Sequence, residues 1–332
     1  MNTLKALIPG WLLLGAIALI SQYASKLLEV GGKNPLEAAV IAIVLGVTLR
    51  NTGAIPLVFE KGVKAFEKPL ALGIVLLGSA LNYYDFFGKG LSLIVIVLGT
   101  MGVGLFSIVV FSRLLKLPRK LSLLLALGTT ICGGTAIAIV APLMKADEEE
   151  TSYAIGVIAL WGLLALLLYP AIARLLGIPD EVFGVFAGTA IHSTPQVVGA
   201  GFMYSDAAGT TATAVKLLRN CLIAPAAFGI AIWFAKETAS AGEKISTRKI
   251  VPWFLFGYFL LAFLSSEGIL SKELSANFTS LGKFFVLVGM AGVGCNTRLS
   301  AFKSLGLKPL LVGFVGAVVV AITSIALIRI SL

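Results

Sequence analysis

Charge is what this sequence has least of. Asp, Glu, Lys and Arg make up 13% of its 332 residues, against roughly 25% in soluble domains. So few charges cannot cover the surface of a water-soluble fold, and that class is set aside. Cysteine is scarce as well. Cys132, Cys221 and Cys295 are odd in number and lie in apolar or membrane-adjacent stretches. They offer neither a disulfide framework nor metal-ligand spacing. Cys221 and Cys295 read as small apolar side chains. No cofactor and no metal is expected. The sequence lacks His-Glu-x-x-His, an Asp-rich lipid-diphosphate motif and a Ser-His-Asp set, so no enzymatic activity is expected. Buried carboxylates are missing too. All sixteen acidic residues fall at the ends of apolar runs or between them. Proton and sodium antiporters commonly carry their ion on such a group, and an anion would be repelled by one.

What is abundant is apolar sequence, 58% of the chain. Runs of roughly 18 or more residues, each long enough to cross a bilayer, recur from end to end. They lie at about 6–28, 35–52, 69–86, 90–115, 119–145, 151–176, 180–203, 209–236, 250–267, 275–297 and 308–330. This predicts an all-α polytopic membrane protein of about 9–11 spans, a single membrane domain over 1–332. The first run lacks a small-residue cleavage site and reads as a retained helix. Ile55 to Lys68 alternates Val58, Phe59, Val63 and Phe66 with Lys61, Lys64 and Lys68. That pattern suits a short interfacial amphipathic helix, with a surface loop as the alternative. The stretch from Lys236 to Lys249 reads as a polar loop.

The net charge of +10 does not point to nucleic acid, because the basic residues cluster at run ends. Arg50, Lys61, Lys64 and Lys68 fall on one side, together with Arg113, Lys116, Arg119 and Lys120. Lys236, Lys244, Arg248, Lys249, Arg298, Lys303 and Lys308 share it. This positive-inside bias predicts a cytoplasmic N-terminus.

The runs at 119–145 and 180–203 are interrupted. One reads Gly128-Thr-Thr-Ile-Cys132-Gly-Gly-Thr, the other Gly188-Thr-Ala-Ile-His192-Ser-Thr-Pro, and they align without gaps at an offset of 60. Each is followed by a polar link and an Ala-rich helix, which suggests an internal duplication of about 128–187 and 188–247. Gly-Gly or Ser-Thr-Pro frees backbone groups at membrane depth, where only protein or a water-filled cavity can satisfy them. In transporters, paired breaks mark the substrate site, because half-helix N-termini present their positive ends to an anion. The plainer alternative is close helix packing on small residues. If the broken runs cross, the repeats are parallel. If they turn back, two hairpins face each other from opposite sides, and inverted repeats favour that arrangement. Gly78-Ser-Ala-Leu-Asn82 and Gly292-Val-Gly-Cys-Asn296 form a weaker pair, on helices predicted to run in opposite directions.

Cations enter where anions do not. Lys216 and Arg219 lie about 9 and 13 Å inside a helix starting at Thr210, at about 1.5 Å per residue. Three residues apart, they share a face, and an intramembrane cation is by default functional. His192, the only histidine, sits in the second break, where it could bind substrate or change charge. Lys283 reads as an interfacial residue that snorkels.

The run Leu72-Gly-Ile-Val-Leu-Leu-Gly78, Ile131-Cys132-Gly-Gly-Thr-Ala-Ile-Ala, Gly188-Thr-Ala-Ile-His192-Ser-Thr-Pro-Gln-Val-Val and Lys216-Leu-Leu-Arg219-Asn resemble a family of bacterial inner-membrane proteins named for sulfate export. The resemblance covers most of the chain. It extends to the superfamily of bile-acid–sodium symporters and cation–proton antiporters. It implies inverted repeats, helices broken at mid-membrane, elevator-like motion and a location in the bacterial inner membrane. One departure stands out: in that superfamily the broken helices cross and lie several spans apart, whereas here one full span separates the breaks. The combined expectation is a secondary transporter of a small sulfate-, sulfite- or sulfonate-like anion. The anion would be held by backbone N–H groups around Cys132, Gly133 and Gly134 and by Thr129, Thr130, Thr135, His192, Ser193, Thr194 and Gln196, with Lys216 and Arg219 supplying charge. The alternatives are a sodium- or proton-coupled symporter of a larger organic anion and a channel. The expected partners are the anion, the lipid bilayer and, as an open option, a second copy of the chain.

Overall fold

The computed structural model describes residues 5–28, 38–223, 225–226, 229–230, 253–303 and 306–332. Its elements are all helical among those residues. In order they are α1 (Ile8–Leu27), α2 (Ala38–Asn51), α3 (Leu57–Lys64) and α4 (Glu67–Leu77), which runs into a 3-10 turn at Gly78–Ala80. Then come α5 (Tyr83–Gly88), α6 (Gly90–Leu114), α7 (Arg119–Thr130), α8 (Gly134–Leu143) and α9 (Glu148–Leu175). The remainder are α10 (Asp180–Ala190), α11 (Thr194–Tyr204), α12 (Asp206–Asn220), α13 (Trp253–Ser266), α14 (Lys272–Asn296), α15 (Leu299–Lys303) and α16 (Leu307–Ser331). Five of them, α1, α6, α9, α14 and α16, are long and apolar enough to cross a membrane. The polytopic membrane fold expected from composition is the one observed. The polar stretch 236–249 lies outside the described residues.

The chain divides into two compact units, Met1–Asp85 with Phe254–Ser300 and Phe86–Trp253 with Ala301–Leu332. In the first unit, α14 packs against α2 and α4. Gly46 and Gly294 let α2 and α14 meet backbone to backbone, since a Cβ on Gly46 would lie 2.7 Å from the Cys295 nitrogen. Small residues are the usual means of close approach in lipid. α4 and α14 run antiparallel, as their paired Gly…Asn stretches predict: Ser79 Oγ lies 3.1 Å from Thr279 Oγ1 at one end, and Gly292 packs on Phe66 at the other. The two asparagines do end-of-helix work. Asn82 Oδ1 accepts from the Tyr84 nitrogen at 3.1 Å, and Asn296 Nδ2 donates to the Gly292 carbonyl at 2.8 Å. The third expected run therefore stops at Leu77 rather than near 86, because the turn at Gly78–Ala80 interrupts it. Lys283, expected near a span start, lies well inside α14 and is only partly exposed.

Of the two forms expected for Ile55 to Lys68, the helix is the one observed: α3 buries Gly62 and Val63 and exposes Leu57 and Val58. Arg50 ties it to the unit by donating to Glu60 and to the Cys295 carbonyl. The hydrogen bond from Arg50 holds the Glu60 carboxyl below its ordinary value of 4.5, against the opposing effect of burial. A depressed carboxylate stabilises the fold fully above the ordinary value and ceases to do so as pH falls through the folded one. Thermal stability should therefore drop more steeply on acidification in the wild type than in Glu60→Gln. Parallel acid titrations of the two proteins would refute the linkage.

The second unit carries the broken runs. The first breaks between Thr130 and Gly134, the second between Ala190 and Thr194, again offset by 60 residues at both edges. Neither crosses. Lys120 Nζ donates to the Lys145 carbonyl at 2.7 Å, so the start of α7 lies beside the end of α8. Phe183 and Tyr204 stack at 4.2 Å between ring centroids, so the start of α10 lies beside the end of α11. Both runs are hairpins that turn back. α9 links their open ends. It begins at a capping box of Asp147 and Glu150 beside the first hairpin. It ends where Arg174 donates to the Met203 and Tyr204 carbonyls of the second. At about 1.5 Å per residue it spans roughly 40 Å, so the open ends of the hairpins lie at opposite ends of α9. This settles the alternative left open by the charge pattern.

Candidate functional site

Each tip has a sequence cause. At the first, Ile131 leaves the helix at φ −112°, ψ −87°, and Gly133 takes φ +69°, ψ −130°. That region is essentially restricted to glycine. At the second, Ile191 is extended, and Ser193-Thr194-Pro195 restarts the chain as α11, with proline in the first turn, where its missing N–H costs nothing. The tips touch: a Cβ on Gly133 would stand 3.1 Å from that of Ser193.

α12 joins them. It runs parallel to α10, with Gly184 against Thr211 and Gly188 against Val215, and antiparallel to α11, with Gly201 against Gly209. Its C-terminal turn reaches both tips and brings Lys216 and Arg219, each at most 1% exposed. Neither meets a carboxylate; among the described residues every Asp and Glu lies outside the buried set. Lys216 Nζ donates to the carbonyls of Ile131 (2.8 Å), Ile191 (3.2 Å) and His192. Three acceptors use all three protons of an ammonium. Arg219 Nε donates to Thr130 (2.6 Å). Its Nη1 donates to Thr189 (2.8 Å), Ile191 (3.0 Å) and, more weakly, Gly188, and its Nη2 to Thr129. These are the last carbonyls of α7 and α10, the groups a helix end leaves without partners. The cations cap two helix C-termini at once.

The opposite polarity is only partly covered: Cys132 Sγ accepts from the Ala136 nitrogen and the Thr135 hydroxyl at the start of α8, and Gln196 Oε1 accepts from the Ser193 nitrogen at the start of α11. The N-termini of α8 and α11 start at the same tips, with Gly134, Ser193 and Thr194 partly exposed and Thr135 exposed. A Cβ on Gly134 would meet nothing within 4 Å. Thr194 Oγ1 accepts from Asn220 Nδ2 at 3.1 Å, which leaves its own proton free to donate. His192 is fully buried, and neither ring nitrogen has a hydrogen-bond partner among the described residues.

The structure thus gathers all twelve predicted site residues at the tips or on α12, in differing employment. Thr130 turns its hydroxyl back to the Ala126 carbonyl. Gln196 accepts from the Ser193 nitrogen at 3.1 Å and reaches the Ala159 carbonyl, which holds the start of α11 to α9. Cys132 is buried, and so is the backbone of Gly133. Thr129 is buried with its hydroxyl unpaired. Asn220, next to Arg219 in the chain and by that position alone a structural residue, joins the site: its Nδ2 donates to Thr194 Oγ1 at 3.1 Å. Of the other cysteines, Cys295 is buried as expected and Cys221 is exposed.

Fold and site together define a polytopic α-helical membrane protein with two opposed re-entrant hairpins. The chain belongs to the family described as Conserved hypothetical protein 698, whose model matches residues 9–313. It is 31% identical over 316 residues to a UPF0324 membrane protein of Bacillus cereus, covering 95% of this chain and 93% of the relative. A UPF0324 membrane protein of Fusobacterium nucleatum is 30% identical, with 91% of each chain covered. One from Streptococcus agalactiae is 33% identical, with 98% of each covered.

Proposed function

We propose that the protein is a secondary transporter of a small oxyanion, sulfate-, sulfite- or sulfonate-like, bound at the meeting hairpin tips and released by alternating access. The observation that carries this is the charge at the tips. A helix end is equivalent to roughly half an elementary charge. The two C-termini therefore offset about one of the two positive charges of Lys216 and Arg219, and the N-termini of α8 and α11 add back as much. Among the described residues no buried carboxylate balances the remainder. An anion at the two N-termini would. In this scheme Lys216 and Arg219 act mainly through their field, because all three donors of Lys216 and four of the five of Arg219 are engaged by carbonyls. The contacts come from backbone N–H groups, Thr135, Ser193, Thr194 and His192. The resemblance to a family named for sulfate export agrees with an oxyanion and adds elevator-like motion and an inner-membrane location to the proposal, and the bias of the basic residues adds a cytoplasmic N-terminus.

Uptake of radiolabelled sulfate and sulfite into proteoliposomes should be saturable and should show counterflow with unlabelled anion on the far side. Linear, non-saturating flux would replace the carrier by a channel. Absence of flux for every oxyanion tried, with protein correctly reconstituted, would end the proposal.

A further inference from the structure

Three side chains at the tips carry polar atoms that nothing in the described protein satisfies: Asn220 Oδ1, both ring nitrogens of His192, and Thr129 Oγ1. All three are at most 2% exposed. Leaving such groups unmatched is costly, and native proteins rarely do so. Their chemistry can be inventoried. An amide oxygen only accepts. A neutral imidazole has one donor and one acceptor. A hydroxyl can do either. The unmet set therefore contains two obligate acceptors and one obligate donor. Neither neighbouring cation is paired with these acceptors: the three protons of Lys216 go to three carbonyls, and four of the five N–H groups of Arg219 go to the ends of α7 and α10.

Asn220 Oδ1 is the informative member. Its amide nitrogen is fixed on Thr194 Oγ1, the first residue of α11, so its oxygen lies next to the same helix N-terminus. A fully ionised oxyanion there would put lone pairs against lone pairs. An anion that still carries a proton would donate to it.

We infer that the site selects an anion bearing its own hydrogen-bond donor, an O–H or N–H beside the negative oxygens, and that Asn220 is the residue that reads it. This rests on the anion-transporter proposal and narrows it. Donor-free oxyanions bind through charge and the donors of the tips, with Asn220 Oδ1 left unmatched. Donor-bearing ones gain the contact with Asn220 Oδ1, which Thr194 orients.

The test is a matched pair: methanesulfonate and methylphosphonate, in mildly acidic buffer where both are monoanions. They share shape and charge and differ by one O–H. Binding to purified full-length protein is measured by calorimetry. An unmet buried acceptor should make methylphosphonate the tighter ligand by about tenfold. In Asn220→Leu the ratio should fall to near unity, whatever affinity both anions lose together from the release of Thr194. Equal affinities in the wild type would overturn the inference without recourse to any variant, and so would a ratio that survives Asn220→Leu. If Asn220→Leu does not fold, Asn220→Ala gives the same comparison. Failure of both anions to bind would count against the transporter reading itself, an outcome distinct from equal binding.

Discussion

Replacing Arg219 by alanine should abolish anion uptake and lower thermal stability by roughly 3–5 kcal/mol, the scale seen when a buried charge network is broken. The reason is geometric. Its guanidinium holds the carbonyls of Thr129 and Thr130 on one hairpin and of Thr189 and Ile191 on the other. Hydrogen bonds to a charged group contribute about 1.5–3 kcal/mol each, and carbonyls at membrane depth have no water to take over. Arg219→Lys keeps the charge but loses the fork. One ammonium cannot span both hairpin ends, so this variant should melt lower than the wild type and transport slowly. Thermal melts in detergent and proteoliposome uptake check both. An Arg219→Ala protein with wild-type uptake would remove the residue from the mechanism.

Gly133→Ala should be the second most damaging change. At φ +69°, ψ −130° an alanine stores about 1–3 kcal/mol of backbone strain. Its Cβ would also stand 3.1 Å from that of Ser193, which pushes the tips apart. Lower melting and loss of anion affinity should appear together. Gly134→Ala is the control: its Cβ enters open space, so it should leave melting unchanged and raise KM only. A Gly133→Ala protein that melts like the wild type would show that the tips tolerate separation.

The positions of the breaks were legible because Gly-Gly and Ser-Thr-Pro are strong local signals that outlast tertiary context. Register was legible for the same reason, and the offset of 60 reappears at both helix edges. Whether the runs cross or turn back was not, since both topologies put the same basic loops on the same sides. The depth of Lys216 and Arg219 was undercounted along the helix, because α12 starts at Asp206, about a turn before Thr210. Their partners could not be read, because backbone carbonyls leave no mark in a sequence. The roles of Gln196 and Asn220 were hidden likewise: which polar side chain is spent on the scaffold and which is left over is decided by packing, after the helices have met.

The hydrogen bond from Lys216 to Ile131 joins residues 85 positions apart in the chain. During synthesis the first hairpin therefore emerges well before the group that caps it. Until α12 inserts, the last carbonyls of α7 have no donor, and lipid provides none. The first hairpin cannot settle at depth in the order it is made. A chain truncated before α12 should therefore leave the first hairpin open to protease in membrane vesicles, and the full chain should protect it.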